Sequence, residues 1–566
     1  LNATLHIAGV NISSGASFFG GAITALGSTL TFDRTNFIAN HAISKGGGVF
    51  VSDGSSMSCD GVTFVGNSAD DSGGAMFVSG ESKVSCGGSW INNSAGGTGG
   101  GALSLYDFSS FSWDEPATFA HNTATIIGGA IHLFNGSSLS WNAPTSFVNN
   151  TSGSGGALAV VGHSVTAWSG STSFVGNNAA VDGGAIFVFN GSHILWDAST
   201  SFWNNYATGV GGAIANFLLT STSWSASTSF LANEAGFEGG AISANHGSNL
   251  SWTGEAKSIF EENLANSGGA VDLYTSSQIF CSEETTTSFV NNSAIGGGGA
   301  LLSQDGSSAF FGGNISFTSN SATGSSSVFE SGFGGAVVLN SGSSISWSRE
   351  MNFVGNSAQK AAGALYLSNS RASWTGSTRF VGNNANLSGG AILMWNESYV
   401  GWTGDTQFTS NEARADGGAV WSPGFDSTFN FQGSDLVING PTAFVNNTSG
   451  ANGGALALSE GLTASFIADV VSFTDNRAEV AGGAVFMSGT GVGPVFTGVS
   501  FTSNSAQVGG AVSAVGSGSL KGFVDSDSPN PTTFDRCHFI DNRAATTGGA
   551  IETAAGEDDI FNSVFR

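Results

Sequence analysis

Phe147-Val148-Asn149-Asn150-Thr151-Ser152-Gly153-Ser154-Gly155-Gly156-Ala157 is followed 27 residues on by Phe174-Val175-Gly176-Asn177-Asn178-Ala179-Ala180-Val181-Asp182-Gly183-Gly184-Ala185. Both stretches carry Phe-x-x-Asn, a short gap and then Gly-Gly-Ala. The pattern recurs at Phe202/Asn205 with Gly211-Gly212-Ala213 and at Phe230/Asn233 with Gly239-Gly240-Ala241. It extends from Gly20-Gly21-Ala22 to Gly548-Gly549-Ala550 at a period of about 28 residues. Self-similarity at such a period marks an array of stacked supersecondary units.

Composition decides what one unit is. With 86 Gly, a surplus of Ser and Thr and only 14 Lys+Arg, amphipathic helices are excluded, and a horseshoe repeat would need more Leu. The unit reads instead as three short β-segments: Ala130–Phe134, Ser138–Trp141 and Thr145–Val148, punctuated by Asn135-Gly136 and Asn142-Ala143-Pro144. Stacked coils then give parallel sheets along one axis. The expected fold is a single right-handed parallel β-helix of about 19 coils, three strands per coil, running through residues 1–566 as one domain.

The signature residues have physical roles in such a coil. Gly-Gly permits a positive-φ corner and close backbone approach, and Ala suits a narrow interior. Phe147, Phe174, Phe202 and Phe230 should stack as an internal ladder, with Trp90 the one aromatic substitute. Asn150, Asn177, Asn205 and Asn233 should form an amide ladder, Asn also being a residue that tolerates a left-handed turn. A row of Trp (Trp113, Trp141, Trp168, Trp196, Trp224, Trp347, Trp374, Trp402) precedes the Phe by six residues. Strand alternation places it inward with Leu139, Ile194 and Val400. An exposed platform for sugar rings is the alternative.

A net charge of -26, from 40 Asp+Glu against 14 Lys+Arg, argues against a nucleic-acid or anionic-membrane partner. No run of 18 apolar residues offers a membrane span. The chain starts at Leu1, which reads as a processed product or a segment of something longer. Cys59 and Cys86, one coil apart, are candidate disulfide partners and suggest an oxidising, extracellular compartment. Among the Asn-x-Ser/Thr sequons, Asn135, Asn190, Asn249, Asn314, Asn386 and Asn396 are the candidates for glycosylation, whereas Asn150 and Asn447 fall in the inward ladder.

Residues that could carry chemistry are few and scattered. Asp182, Glu238 and Asp416 each precede Gly-Gly but stand on different coils, and Asp70-Asp71 and Glu557-Asp558-Asp559 read as solvated turns. No catalytic residues, metal site or cofactor are expected. The period stretches at residues 323–333, 423–441 and 514–533. The second insertion, with Phe425, Asp426, Phe429, Phe431 and Asp435, is the favoured ligand or partner loop.

Phe-x-x-Asn paired with Gly-Gly-Ala-Ile/Leu/Val resembles the repeats of the chlamydial polymorphic outer-membrane proteins and of related protist surface proteins. That resemblance implies a β-helix passenger displayed at the cell surface, linked to adhesion and followed by a membrane-anchoring barrel. This chain departs from it in its few Cys, its added Trp row and the absence of barrel strands at its end. The leading expectation is a non-enzymatic extracellular rod: an adhesin passenger or a structural subunit of a surface appendage or filament. Strand-like runs at both ends, Leu5-His6-Ile7 and Ile560–Phe565, suggest end-to-end self-association. A carbohydrate-binding module, using the Trp row or the 423–441 loop, is the alternative, with surface glycans or a receptor as partner. A polysaccharide lyase or hydrolase ranks third.

Overall fold

In a computed structural model, one sequence repeat is one coil of a parallel β-solenoid. The structure describes residues 3–324, 331–423, 435–459, 463–466, 470–489, 495–515, 532–554, 558–561 and 563–566. These contain strands and turns and no helix. The chain divides into two compact units, Leu1–Asn266 with Ala270–Thr286, and Ser267–Gly269 with Thr287–Arg566. Both units are built to the same plan, and together they run through about 18 turns.

The coil beginning at Val165 shows the plan. Its strands are Val165–Trp168, Thr172–Val175, Asn178–Ala179 and Ile186–Phe189. We refer to them as the Trp strand, the Phe strand, the short strand and the apolar strand. The sequence reading anticipated three of them. The fourth, Asn178–Ala179, holds two residues and gives too short an alternation to register as a strand from sequence. Each strand pairs in parallel with its equivalent in the next coil, so Trp168 faces Trp196, Phe174 faces Phe202, Ala179 faces Ala207 and Ile186 faces Ile214.

Register places like on like, and this builds the interior. Phe174, Phe202 and Phe230 are fully buried, with ring centroids 4.8 Å apart and planes within 4°. Phe147 stacks on Phe174 at 4.7 Å. That spacing matches the rise between parallel strands, so each ring rests on the next without bending the backbone. The Trp row also faces inward: Trp141, Trp168, Trp196, Trp224 and Trp252 are at most 2% exposed. A surface platform of Trp is therefore ruled out. The Trp141 indole donates to the Thr172 hydroxyl in the next coil at 2.9 Å, and Trp347 does the same to Thr378 at 2.8 Å. These contacts satisfy the indole donors of Trp141 and Trp347, whereas those of Trp168, Trp196, Trp224 and Trp252 are buried without a partner.

The Asn ladder runs along one corner. Asn205 Nδ2 donates to Asn233 Oδ1 at 2.9 Å and to the Phe174 carbonyl at 3.1 Å, while its Oδ1 accepts from the Asn177 backbone N–H at 3.0 Å. The four ladder residues Asn150, Asn177, Asn205 and Asn233 are all buried. One expectation needs correction. The left-handed residue is not the ladder Asn but the one before it, with φ of 52° at Asn149, 63° at Gly176, 53° at Asn204 and 51° at Ala232. The turn there frees the Asn side chain to point inward, where its amide makes the bonds that a left-handed Asn would have made locally.

Gly183-Gly184 shows why the Gly pair is required. Gly183 sits at φ 65°, and a Cβ on Gly184 would run into the Gly212 carbonyl oxygen of the next coil. The pair thus admits neighbouring backbone where any side chain would force coils apart. The loop before it folds over the outer side of the apolar strand. Second residues of that strand, such as Ala159, Ala215 and Ser243, are consequently buried as well, so the strand is covered on both faces.

Candidate functional site

Cys59 and Cys86 are register partners on adjacent Trp strands, joined as a disulfide with Cα atoms 4.6 Å apart. Parallel neighbours place Cα atoms within disulfide reach whenever both side chains leave the same face. Alkylation under denaturing, non-reducing conditions should therefore modify Cys281 and Cys537 and leave Cys59 and Cys86 unmodified until a reductant is added. Peptide mass mapping checks this, and labelling of Cys59 and Cys86 without reductant would contradict it.

The sequon residues divide by exposure. Asn135, Asn190, Asn249 and Asn314 are exposed, and Asn386 and Asn396 are half-buried. Asn135 and Asn190 occupy left-handed turns at φ 54° and 55°. The amide of Asn135 donates to Asp107 at 2.8 Å, and that of Asn386 to Gln359 at 2.8 Å. Of the proposed partner loop, Phe425, Asp426, Phe429 and Phe431 lie outside the described residues. Asp435 begins the strand Asp435–Ile438 and faces outward.

The acids before Gly-Gly are tied to their surroundings. Asp182 Oδ1 accepts from the Val210 backbone N–H at 3.0 Å, and Asp416 Oδ1 accepts from Asn452 at 2.9 Å through the side-chain amide. Glu238 differs. The coil fold brings it near Asp272, the second residue of the apolar strand Val271–Tyr274, which pairs with Ser243. Asp272 is fully buried, and neither carboxyl oxygen has a hydrogen-bond partner. Burial first, and then repulsion from Glu238, push the Asp272 carboxyl well above the ordinary carboxylate range. Glu238 is itself raised by burial.

This acid pair was not found in the sequence. The signal available was an Asp where the register partners are small or apolar, at Ala159, Ala215 and Ser243. Its consequence is a stability cost. An acid whose pKa is higher folded than unfolded binds its proton more tightly in the folded state. Stability is then greatest below the ordinary carboxylate pKa and falls as pH rises through the folded value. Asp272→Ala should accordingly raise stability at pH 7 by about 1–3 kcal/mol and change it little near pH 4. Urea denaturation of both proteins at the two pH values checks this; equal effects at both would contradict it.

A second cluster lies on the outer side of the apolar strands in the first unit. Lys45 Nζ sits 4.6 Å from the Phe77 ring centroid and 3.9 Å from Asp71. The Tyr106 hydroxyl is 3.3 Å from His132 Nδ1, and burial pushes His132 down to about 4, so it is neutral at physiological pH. The cluster closes the side of the coils with a cation over aromatic rings. Among the described residues, no group of three or more His, Cys, Asp or Glu is placed to hold a metal ion. Among them, too, no helix is long and apolar enough to cross a membrane.

One comparison with known proteins bears on this architecture. The sequence model of the Chlamydia polymorphic membrane protein (Chlamydia_PMP) repeat matches residues 286–304. That span holds Phe289, Asn292 and the Gly298-Gly299-Ala300 corner of a single coil. No curated protein and no solved structure matches the chain. Such repeats on a parallel β-solenoid fit the passenger domain of a surface protein. In its repeat, this chain resembles the Chlamydia polymorphic membrane protein repeat proteins.

Proposed function

We propose that the chain is a non-enzymatic extracellular scaffold, the displayed passenger of a surface protein, serving as a structural or adhesive part of a surface appendage. The observation that carries this reading is where the recurring side chains are spent. Phe, Trp, Asn and the Gly pair all go into interior ladders and corners, coil after coil. Outward positions of the Trp strands, such as Ser140, Ser223, Ser251 and Ser373, are mostly small and uncharged. A sequence so committed preserves lengthwise order and leaves an outer surface free to vary with the partner. The acidic, weakly charged exterior and the Cys59–Cys86 disulfide support an oxidising, extracellular setting. The match to a repeat of surface proteins supports the same placement. Antibodies raised against the purified chain should stain intact source cells without permeabilisation. Staining that appears only after permeabilisation would overturn the proposal.

A further inference from the structure

The Trp strand Tyr399–Trp402 of the second unit departs from its neighbours at one outward position. Gly401 pairs with Ser373 on one side and Val437 on the other, and Ser373 continues the row through Ser346 to Phe310. Because residue 401 has no Cβ, the Tyr399 side chain lies down along the sheet. A Cβ there would collide with the Tyr399 hydroxyl and ring edge. Gly401 is buried beneath that ring, and Tyr399 is half-buried.

The outcome is a groove of about 280 Å³ that crosses successive coils of one unit. Phe310, 39% exposed, stands in its lining with Tyr399. Between and around them are the hydroxyls of Ser373, Thr375 and Thr403 and the amide of Asn439. The lining contains no Asp, Glu, Lys, Arg or His, in a chain of net charge -26. The Arg371 guanidinium borders it, 5.7 Å from the Tyr399 ring centroid.

This chemistry selects its occupant. Aromatic rings offer apolar faces, and short hydroxyls and an amide both donate and accept. A ligand that matches must alternate apolar C–H surface with hydroxyl groups and carry no charge needing a counter-ion. An ionic ligand would find no counter-ion within the lining itself, with Arg371 only at its edge. Hydroxyls repeat along the groove at the strand spacing of roughly 4.8 Å, so a linear repeating ligand meets similar partners on successive coils. We propose that this groove binds a neutral oligosaccharide. The proposal deepens the surface-protein reading by naming a ligand class, but it stands on the groove's own geometry.

Calorimetric titration of the intact chain with cellohexaose, xylohexaose and chitohexaose, and with an anionic oligogalacturonate, tests it. At least one neutral chain should bind at concentrations up to about 1 mM. Tyr399→Ala and Gly401→Val should each weaken that binding at least about tenfold. Ser373→Glu, an outward change that leaves the interior packing untouched, should do the same and serves if either of the others fails to fold. Trp203→Ala, which removes a 54%-exposed ring in the other unit, should leave binding unchanged. The proposal is overturned by no binding of any neutral chain, by binding of the anionic chain alone, or by binding that Ser373→Glu leaves intact. These outcomes are independent of whether antibodies reach the chain on intact cells, so either proposal can fail alone.

Discussion

Replacing Asn205 with Ala should destabilise the surrounding coils by about 4–6 kcal/mol, among the largest effects available to a single substitution. The change strips a partner from four buried groups. Asn177 loses the acceptor for its backbone N–H and for its side-chain amide, Phe174 loses a donor to its carbonyl, and Asn233 Oδ1 loses a donor. The Asn177 amide keeps the Phe147 carbonyl and Asn233 Oδ1 keeps the residue-205 backbone N–H, but each lost bond weakens a polar group in a site without water, and about 1 kcal/mol or more apiece gives the total. The near-isosteric Asn205→Asp separates hydrogen bonding from shape. It keeps an acceptor but sets oxygen against the Phe174 carbonyl and Asn233 Oδ1. Protonation returns one donor, and burial favours the protonated form, so this variant should regain stability as pH falls from 7 towards 4. Urea midpoints, with hydrogen exchange of the amides between residues 174 and 233, provide the readout. A midpoint for Asn205→Ala equal to the parent's would show that the amide ladder does not hold the corner.

Phe202→Ala should cost about 3–5 kcal/mol. Phe202 is fully buried, stacked between Phe174 and Phe230 at 4.8 Å, with Trp196 at 5.2 Å. Truncation opens a cavity whose walls cannot close, because backbone hydrogen bonds fix the coil spacing from above and below. Phe202→Trp should be far milder. Trp90 already occupies the same slot with no exposure and stacks on Phe64 at 4.2 Å and Phe119 at 5.5 Å. The expected order of stability is Phe, Trp, Leu, Ala. An unchanged melting profile for Phe202→Ala would mean that the ring faces solvent and the register is wrong.

The parts of this fold that were legible in sequence are those in which one residue type repeats in one role. Ser138–Trp141 and Thr145–Val148 are strands with the bounds their alternation predicts. Leu139 beside Trp141 was enough to turn the Trp row inward, since strand neighbours two apart share a face. The short strand escaped notice because two residues carry no periodicity. The left-handed position is hard to place from sequence because both the ladder Asn and the residue before it are often Asn. Asn149-Asn150 is an example, and only Gly176 and Ala232 at the earlier position hint at the answer.

The candidate sites were less legible because they arise from exceptions. Glu238 and Asp272 meet only because the loop before Gly-Gly folds over the next strand, which no local pattern reveals. The groove at Tyr399 depends on a single Gly in a row that reads Phe310, Ser346, Ser373, Gly401 and Val437. The aromatic-rich segment around Phe429, favoured from sequence, lies outside the described residues.

Cross-linking tests the coil register most directly. Ser140 and Ala167 face outward on adjacent Trp strands and are register partners, as the inward Cys59 and Cys86 are. In a chain carrying Ser140→Cys and Ala167→Cys, mild oxidation should join the two new cysteines. A chain carrying Ser138→Cys and Ala167→Cys, displaced by two residues along the strand, should remain unlinked, because Ser138 faces Val165 instead. Efficient cross-linking of the first pair alone is the result that one coil per repeat, in this register, requires. Equal cross-linking of both pairs, or of the displaced pair only, would contradict it.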